Sequence, residues 1–245
     1  MFTQEFILDA VCNSWHITEP QIDLRTTLAR TLNISPLVSQ VLINRGFDSP
    51  DKARTFLSAR LNDLHSPFLM KDMDRAVSRI LKAMENNESI LIYGDYDVDG
   101  TTAVALVYSF LREQYSNVEY YIPDRYKEGY GVSFQGIDFA VENNCRIIIT
   151  LDCGIKAVEK IKYAKNKGLD VIVCDHHYPG DEIPGALAVL DPKQPGCNYP
   201  YKELSGCGVG FKLIQAIESR RGGENLSEHF LDFATLATTA DIVPL

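Results

Sequence analysis

Three aspartates occupy alternate positions in one short turn of the chain. Asp95, Asp97 and Asp99 follow the apolar run 90–92 and precede a long apolar stretch with helical spacing. No lysine or arginine lies between residues 88 and 112 to balance their charge. Two unit charges about 4 Å apart repel by about 1 kcal/mol in water and by about 4 kcal/mol at an effective dielectric constant of 20. A divalent cation would turn this repulsion into attraction, so the turn predicts a metal site, with a solvated acidic turn as the alternative.

Two more polar clusters follow apolar runs further along the chain. The first run ends at Asp152, and the second ends at Asp175, His176 and His177. Both runs are short, rich in β-branched residues and bounded by turn residues, a pattern typical of strands buried on both faces of a parallel sheet. Ligands bind outside the carboxyl ends of such strands. We therefore expect these clusters and the three aspartates to converge on one crevice.

Strand and helix patterns alternate from residue 89 onward. The predicted fold class is α/β, with a doubly wound, mostly parallel sheet in a domain over 86–245 and a helical N-terminal extension over 1–85. Trp15 in the extension is expected to be a core residue. The predicted strands lie near 89–95, 118–122, 146–151, 170–174 and 186–190, and the predicted helices lie near 36–44, 50–57, 71–85, 101–114, 133–143, 155–167, 209–220 and 226–240.

Four segments of the chain occur in an order typical of one enzyme superfamily. They are the run Asp-Tyr-Asp-Val-Asp-Gly at 95–100, Leu-Asp-Cys-Gly at 151–154, Asp-His-His at 175–177 and Ala-Asp-Ile-Val-Pro-Leu at 240–245. Together they resemble the motifs of the DHH phosphoesterase superfamily, and more narrowly those of its bacterial exonucleases specific for single-stranded DNA. The flanking runs 121–125, 128–131, 191–196 and 206–210 are also similar to these exonucleases.

This resemblance implies a two-metal phosphodiesterase that uses Mn²⁺ or Mg²⁺. Its reaction would release 5′-mononucleotides from the 5′ end of single-stranded DNA in repair and recombination. Carboxylate and imidazole ligands suit these ions, and a pair of ions can activate water and stabilise a leaving oxygen. Two alternatives stay open: a DHH enzyme that hydrolyses short oligonucleotides or small nucleotides, and a binding module that keeps the fold without the chemistry.

The resemblance also implies a role for each motif residue. Asp97 and Asp99 correspond to carboxylates that bind separate ions, and Asp152 to the carboxylate that bridges them. Pyrophosphatase-like relatives have a histidine where this chain has Tyr93, so Asp95 is expected to complete the ligand set. The implied metal ligands are Asp95, Asp97, Asp99, Asp152, His176 and Asp241.

Catalytic roles are implied for Asp152, Asp175 and His177. His177 matches the histidine that faces the scissile phosphate, and Asp175 is expected to orient His176. From the residues alone, Asp241 is explained by the turn that ends a helix before a proline. Only the resemblance makes Asp241 a ligand.

Candidate substrate contacts besides His177 lie in two loops. Arg125 and Lys127 follow the strand 118–122 with tyrosines between them, a combination that suits single-stranded nucleic acid, although a solvated loop explains it equally. Thr101 opens the helix after the acidic turn, where free amides could hold a phosphate, unless it is only the N-cap. The glycines at 206, 208 and 210 resemble a phosphate loop only superficially.

Composition limits the class of protein. A chain of 245 residues that is 45% hydrophobic can bury a large core in one main domain with a subdomain. The net charge of −9 argues against a protein that coats nucleic acid through bulk electrostatics. Bound cations would offset the acidic site, and the resemblance implies a DHH-associated domain and an oligonucleotide-binding domain beyond Leu245 that carry the positive surface.

The remaining expectations concern location and partners. The six cysteines form no Cys-x-x-Cys pair, so no zinc ribbon is predicted. The chain lacks an apolar run of the roughly 18 residues that a membrane span needs, and residues 1–12 lack the basic start of a signal peptide. A cytoplasmic protein without a membrane partner is expected. The implied partners are single-stranded DNA and, among proteins, a single-strand-binding protein or a helicase.

Overall fold

The computed structural model describes residues 19–222 and 226–244, which fall into two compact units divided between Leu64 and His65. Trp15, for which a core position was predicted, lies outside the described residues. The described part of the first unit contains three α-helices, and serine side chains cap the second and third, each of which begins with a proline. A small core of Leu28, Leu42, Ile43 and Ala53 holds them together. The helices are α1 (Ile22–Leu32), α2 (Pro36–Asn44) and α3 (Pro50–Leu57).

The second unit is built on a five-stranded parallel sheet with the strand order β2-β1-β3-β4-β5. Its strands are β1 (Ser89–Gly94), β2 (Val118–Tyr121), β3 (Cys145–Leu151), β4 (Asp170–Cys174) and β5 (Ala188–Leu190). Its helices are α4 (Met73–Glu85), α5 (Val98–Arg112), α6 (Phe134–Glu142), α7 (Val158–Asn166), α8 (Gly206–Arg221) and α9 (Leu231–Ala240).

Both faces of the sheet are covered by helices. In β1, Ile90 and Ile92 pack into the core shared with α4, α5, α8 and α9, whereas Leu91 and Tyr93 pack into the core shared with α6 and α7. Every residue of β1 is buried, because consecutive side chains enter opposite layers. The predicted doubly wound α/β fold is therefore confirmed, and burial on both faces explains the continuous apolar runs of the strands.

The strand order reverses between β1 and β3. The crossover through α5 leads from β1 to β2 on one side, while β3 lies on the other side of β1. In sheets of this order the loops that leave the two central strands diverge and open a crevice at their carboxyl ends. The acidic turn after β1 and Asp152 after β3 both lie at this point.

Helices α5 and α8 start three residues earlier than predicted, and α7 and α9 start three and five residues later. Helix α5 begins at Val98 because the Oδ1 atom of Asp97 accepts the amide of Gly100 at 2.9 Å and caps the helix. Thr101, predicted to open this helix, lies in its first turn and donates its hydroxyl to the Asp97 carbonyl at 2.6 Å. Helix α8 begins at Gly206, so the glycines at 206, 208 and 210 lie inside the helix and not in a loop before it.

The division of the chain also falls earlier than the sequence indicated. The prediction assigned residues up to 85 to the N-terminal extension, whereas the second unit begins at His65. Helix α4 belongs to that unit because Met73, Val77 and Ile80 pack into the core on one face of the sheet. Among helices in residues 19–222 and 226–244, none has the length and apolar character needed to cross a bilayer.

Candidate metal centre

Three carboxylates from separate segments surround the imidazole of His176. The Nε2 atom of His176 lies 3.2 Å from Oδ1 of Asp152, 3.7 Å from Oδ2 of Asp99 and 3.6 Å from Oδ2 of Asp241. Asp99 lies in the first turn of α5, Asp152 follows β3, and Asp241 follows the last residue of α9. The structure thus brings together one residue from each of the four motif segments.

These side chains form two overlapping groups of donor atoms. Asp99, His176 and Asp241 form one group, and Asp152, His176 and His177 form the other. Within each group the donor atoms lie within 4.8 Å of one another. Oxygen and imidazole nitrogen donors are the combination that suits Mn²⁺ and tolerates Mg²⁺. Each group could therefore contribute to one position of a binuclear centre.

The Oδ1 atom of Asp152 fits a cation better than it fits the surrounding protein. Asp152 is 1% exposed, and this oxygen accepts no hydrogen bond from any described residue. A buried carboxylate oxygen without a partner is costly, and a bound cation would remove that cost. Because the orphaned oxygen lies beside the His176 nitrogen, the donor set has the properties expected of a metal site.

Burial and mutual repulsion raise the pKa of the central carboxylates. Burial has the largest effect on the pKa of Asp152, and the charges of Asp99 and Asp97 raise it further. Burial also raises the pKa of Asp99, although hydrogen bonds from the amides of Cys207 and Gly206 act against it. Each of these shifts disfavours the charged form in the absence of a counter-ion. A divalent cation would reverse the sign of the local field.

Helix α8 binds the carboxylate of Asp99 at its N-terminus. The amides of Gly206 and Cys207 donate to the two oxygens of Asp99 at 2.6 and 2.7 Å. A Cβ atom on Gly206 would lie only 2.5 Å from Cβ of Asp152, so only glycine permits this approach. The glycine-rich run therefore binds a carboxylate of the chain itself, using the free amides and partial positive charge of a helix N-terminus.

Backbone amides donate hydrogen bonds to carboxylate oxygens of Asp95 and Asp97, the other two aspartates of the acidic turn. Both oxygens of Asp95, which is fully buried, accept amides: Oδ1 from Tyr96 at 2.7 Å and Oδ2 from Gly131 at 2.6 Å. Asp97 uses Oδ1 as the cap of α5, and its Oδ2 accepts the hydroxyl of Tyr130 at 3.4 Å. Among the described residues, neither aspartate joins the two donor groups around His176. Their metal-binding roles stay predictions.

Tyr93 belongs to neither donor group and instead contacts the segment 131–133. Its hydroxyl donates to the carbonyl of Gly131 at 3.0 Å and accepts the amide of Ser133 at 3.0 Å. Together with the bond from Gly131 to Asp95, these contacts hold the segment 131–133 against the end of β1. The preceding residue, Tyr130, then lies with its ring centroid 6.4 Å from that of His177.

Asp175 pairs with His177, whereas the sequence led us to expect that it orients the ring of His176. Its Oδ1 lies 2.7 Å from Nδ1 of His177 and also accepts the amide of His176, while its Oδ2 accepts the amide of Ile155 at 2.9 Å. Burial opposes ionisation, but the bonds from His177 and Ile155 lower the pKa of Asp175 overall. In return, the hydrogen bond that His177 donates to Asp175 raises the pKa of His177.

Asp191 is a buried acid that the sequence analysis did not select. It follows β5 at the same edge of the sheet, is 0% exposed, and accepts the amide of Lys193 at 2.6 Å through Oδ1. Its Oδ2 and the Nδ1 atom of His176 both lack a hydrogen-bond partner among the described residues. Burial raises the pKa of Asp191 to about 7. The strand-end rule that selected Asp152 and Asp175 applies equally to Asp191.

The predicted substrate contacts lie on exposed parts of the same edge. Arg125 is exposed, with its guanidinium carbon 5.1 Å from the ring centroid of Tyr96. Lys127 is exposed on the same loop, and Thr101 is half-buried in the first turn of α5. The ring of Tyr96 in turn lies 5.7 Å from that of Tyr130. An aromatic and basic surface thus extends from His177 toward Arg125.

The family model described as the N-terminal domain of the DHH family matches residues 89–238. The chain belongs to the DHH family. This DHH chain is 47% identical over 231 residues to the single-stranded-DNA-specific exonuclease RecJ of Bacillus subtilis, covering 94% of this chain and 29% of that protein. It is 34% identical over 225 residues to RecJ of Escherichia coli, covering 86% of this chain and 38% of that protein.

Solved structures agree with this assignment to the DHH family. A crystal structure of exonuclease RecJ bound to manganese matches with a TM-score of 0.66 and 33% identity, covering 72% of this chain and 44% of the other. RecJ of Thermus thermophilus in complex with Mn²⁺ matches with a TM-score of 0.76 and 26% identity, covering 94% of this chain and 32% of the other. The chain spans less than half the length of each of these relatives.

Proposed function

We propose that this chain is the catalytic part of a metal-dependent exonuclease that removes 5′-mononucleotides from the 5′ end of single-stranded DNA. The observation that carries the proposal is the meeting of Asp99, Asp152 and Asp241 around Nε2 of His176. The identity to RecJ of Bacillus subtilis over nearly the whole chain supports single-stranded DNA as the substrate. Such an enzyme would act in DNA repair and recombination.

The metal centre would hold two ions, Mn²⁺ or Mg²⁺. Asp99, His176 and Asp241 would hold one ion, and Asp152 would contribute to the position of the other. The resemblance of the acidic turn adds Asp97 and Asp95 to the ligands of that second ion. When bound, such a pair activates a water molecule and stabilises the leaving oxygen. The relatives bound to manganese support this choice of metal.

His177 would bind the scissile phosphate. Its Nδ1 lies 2.7 Å from the carboxylate of Asp175, which fixes the ring and favours the protonated form. The opposite nitrogen, Nε2, is then a charge-assisted donor for a phosphate oxygen. The side chain is 39% exposed, so a substrate can reach it. Asp175 would act through His177 and not on the substrate.

The strand of DNA would continue from His177 across Tyr130 and Tyr96 toward Arg125 and Lys127. Stacking of bases on aromatic rings is worth about 1–3 kcal/mol per base and does not depend on sequence. The net charge of −9 leaves this chain with little attraction for phosphates elsewhere. We propose that DHH-associated and oligonucleotide-binding domains supply the rest of the positive surface.

In the cell, a helicase or a single-strand-binding protein would supply the strand. We place the enzyme in the cytoplasm. The described cysteines are free thiols, which fits a reducing compartment.

Metal binding is tested with an Asp152→Ala variant. Calorimetric titration with Mn²⁺ should show binding to the wild-type chain and none to the variant, while the circular dichroism spectrum stays unchanged. Asp181→Asn removes one negative charge from an exposed loop and is the matched control, which should bind Mn²⁺ like the wild type. Unchanged Mn²⁺ affinity in Asp152→Ala would contradict the assignment of the metal centre.

Substrate class is tested with 5′-labelled single-stranded DNA, duplex DNA, dinucleotides and pyrophosphate in the presence of Mn²⁺. We expect release of mononucleotides from single-stranded DNA, and little cleavage of the duplex. Preferential hydrolysis of dinucleotides would instead support the alternative DHH enzyme that acts on short oligonucleotides. Because the chain covers only 29% of its Bacillus subtilis relative, the assay should include a form extended past residue 245.

A further inference from the structure

A cavity of about 310 Å³ adjoins the metal centre on the side of α7. His177 forms its wall toward the metal centre, so a ligand in the cavity can touch the same imidazole as a phosphate at that centre. The size is at the lower end of the range of small-molecule sites in proteins. The other lining residues that matter here are Tyr130, Val132, Ile155, Lys156, Ala157 and Lys160.

The buried part of the cavity wall is mainly apolar. Val132 and Ile155 are 3% and 1% exposed and belong to the core between the sheet and the helices α6 and α7. Tyr130, which is half exposed, also lines the cavity, and the next residue, Gly131, is fixed by its hydrogen bonds with Tyr93 and Asp95. Aliphatic and aromatic walls of this kind bind the flat face of a nucleobase without reading its edge.

Two lysines line the cavity at the start of α7. Lys156 lies just before α7 and Lys160 lies in its first turn, and both line the cavity. Within the described ranges, neither lysine forms an ion pair. Helix α7 also begins without a side-chain cap, so its first amides keep their capacity to donate. Two lysines and free helix amides suit a phosphate group.

We propose that this cavity binds one nucleoside of the DNA strand, next to the linkage held at the metal centre. Lys156 and Lys160 then bind the phosphate on the far side of that nucleoside. The base lies between Tyr130 and the wall of Val132 and Ile155, and the two phosphates that flank the nucleoside lie at His177 and at the lysines. This inference rests on the proposed function, and it deepens it by assigning where the strand lies.

The test is titration of the ¹⁵N-labelled chain with deoxyadenosine monophosphate and, separately, with inorganic phosphate, both with Mg²⁺ present. The nucleotide should shift the amide resonances of Gly131 and Val132, which lie away from the lysines in the chain, whereas phosphate alone should leave these two in place. The second arm uses the dinucleotide pdApdA, whose extra phosphate can reach the lysines. We expect pdApdA to bind at least tenfold more tightly than deoxyadenosine monophosphate.

Two variants and one control locate the site. Lys156→Ala combined with Lys160→Ala should remove the tenfold gain of the dinucleotide and leave monophosphate binding within about twofold. Ala157→Phe fills the cavity and should abolish the shifts of both nucleotides. Lys162→Ala changes an exposed lysine of the same helix that does not line the cavity and should bind like the wild type.

The outcomes separate this inference from the proposed function. If Mn²⁺ binds and single-stranded DNA is cleaved, but the nucleotide shifts lie elsewhere or survive Ala157→Phe, the cavity is not the nucleoside site. Equal dinucleotide affinity in the double lysine variant would overturn the assignment of the phosphate contact. If Mn²⁺ does not bind, the proposed function itself fails, whatever the nucleotide titration shows.

Discussion

The Oδ1 atom of Asp175 lies 2.7 Å from Nδ1 of His177, and both residues lie in the loop that follows β4. This contact, between residues two positions apart, makes His177 the histidine whose charge Asp175 controls. His176 instead directs Nε2 toward Asp99, Asp152 and Asp241. The adjacent imidazoles therefore have different partners. For this reason we propose His176 as the metal ligand and His177 as the residue that binds the phosphate.

Replacing Asp175 by asparagine should lower the pKa of His177 in the metal-free chain. The carboxylate raises this pKa above 6.5 in the wild type, so the contact stabilises the folded chain below pH 6.5 and this contribution is lost as the pH rises through the raised value. NMR titration of the His177 ring measures the pKa directly. Under the proposed function, DNA cleavage should also fall about 10- to 100-fold, the usual cost of losing such a partner.

Asp181→Asn is the control for the loss of one negative charge, and it should leave the pKa of His177 unchanged. An Asp175→Asn variant whose His177 titrates as in the wild type would contradict the pairing. A variant with a lowered pKa but full cleavage activity would show that the charge of His177 does not serve the reaction.

Asp191→Asn should stabilise the metal-free chain at alkaline pH. Burial raises the pKa of Asp191 from 3.8 to about 7, so the folded state favours the neutral acid. The stability from this group is complete below pH 3.8 and is lost as the pH rises through 7, whereas asparagine stays neutral throughout. The free energy of unfolding of the variant, relative to that of the wild type, should therefore rise by on the order of 1–3 kcal/mol from about pH 5 to pH 8. Each unit of pKa is worth about 1.4 kcal/mol.

Urea denaturation of both proteins with a chelator at pH 5 and pH 8 measures this gain. Asp181→Asn, which changes an exposed acid, should show the same difference between the two pH values as the wild type. If Asp191→Asn is less stable than the wild type by the same amount at both pH values, then Asp191 is charged in the folded chain and serves as a hydrogen-bond acceptor.

Alanine at Gly206 should damage the metal centre, whereas alanine at Gly208 should not. A Cβ atom on Gly206 would lie 2.7 Å from Cα of Asp152, so the backbone would have to move. The hydrogen bond from the Gly206 amide to Asp99 would then be lost. We expect a loss of about 1–3 kcal/mol in unfolding free energy from overpacking, and at least tenfold weaker Mn²⁺ binding.

Gly208 is the matched position two residues further along the same helix turn. A Cβ atom there would lie 3.4 Å from Leu204, an ordinary contact, and alanine favours a helix over glycine by about 0.8–1.0 kcal/mol. Gly208→Ala should therefore be neutral or stabilising and should bind Mn²⁺ normally. Thermal unfolding and calorimetry on the two variants decide the question; equal behaviour would mean that the close approach at Gly206 is not required.

Tyr93→Phe should loosen the segment 131–133 without weakening metal binding. The change removes a hydroxyl that contacts the carbonyl of Gly131 and the amide of Ser133, and unpaired buried groups cost about 1–3 kcal/mol. Denaturant unfolding should show this loss, and the Ser133 amide should exchange faster with solvent. Mn²⁺ affinity should stay within threefold, because Tyr93 belongs to neither donor group.

Tyr120→Phe is the control for this variant, since Tyr120 is 55% exposed. It should leave both stability and exchange unchanged. A tenfold loss of Mn²⁺ affinity in Tyr93→Phe, with stability retained, would instead place Tyr93 in the metal centre.

Strands could be located from the sequence more accurately than helix starts. The bounds of β1, β2, β3 and β4 lie within one residue of the prediction. For β1, β3 and β4 the reason is that strands buried on both faces are apolar along nearly their whole length. Helix α5 begins three residues before its predicted start because Asp97 serves as its N-cap. An acidic motif read as a set of metal ligands does not predict that role. Helix α8 begins early because Asp99, 107 residues away, accepts its first amide.

The sequence by itself determined that acidic and histidine clusters would meet, because the carboxyl ends of neighbouring parallel strands share one edge of a sheet. It could not determine which oxygens of these clusters face one another. Gly131 binds Asp95 from 36 residues away and Gly206 binds Asp99 from 107 residues away. Only the tertiary structure decides which carboxylate oxygens accept hydrogen bonds from backbone amides and which remain available for a cation, as Oδ1 of Asp152 does. The reason is that each oxygen bonds to the donor that the fold places beside it.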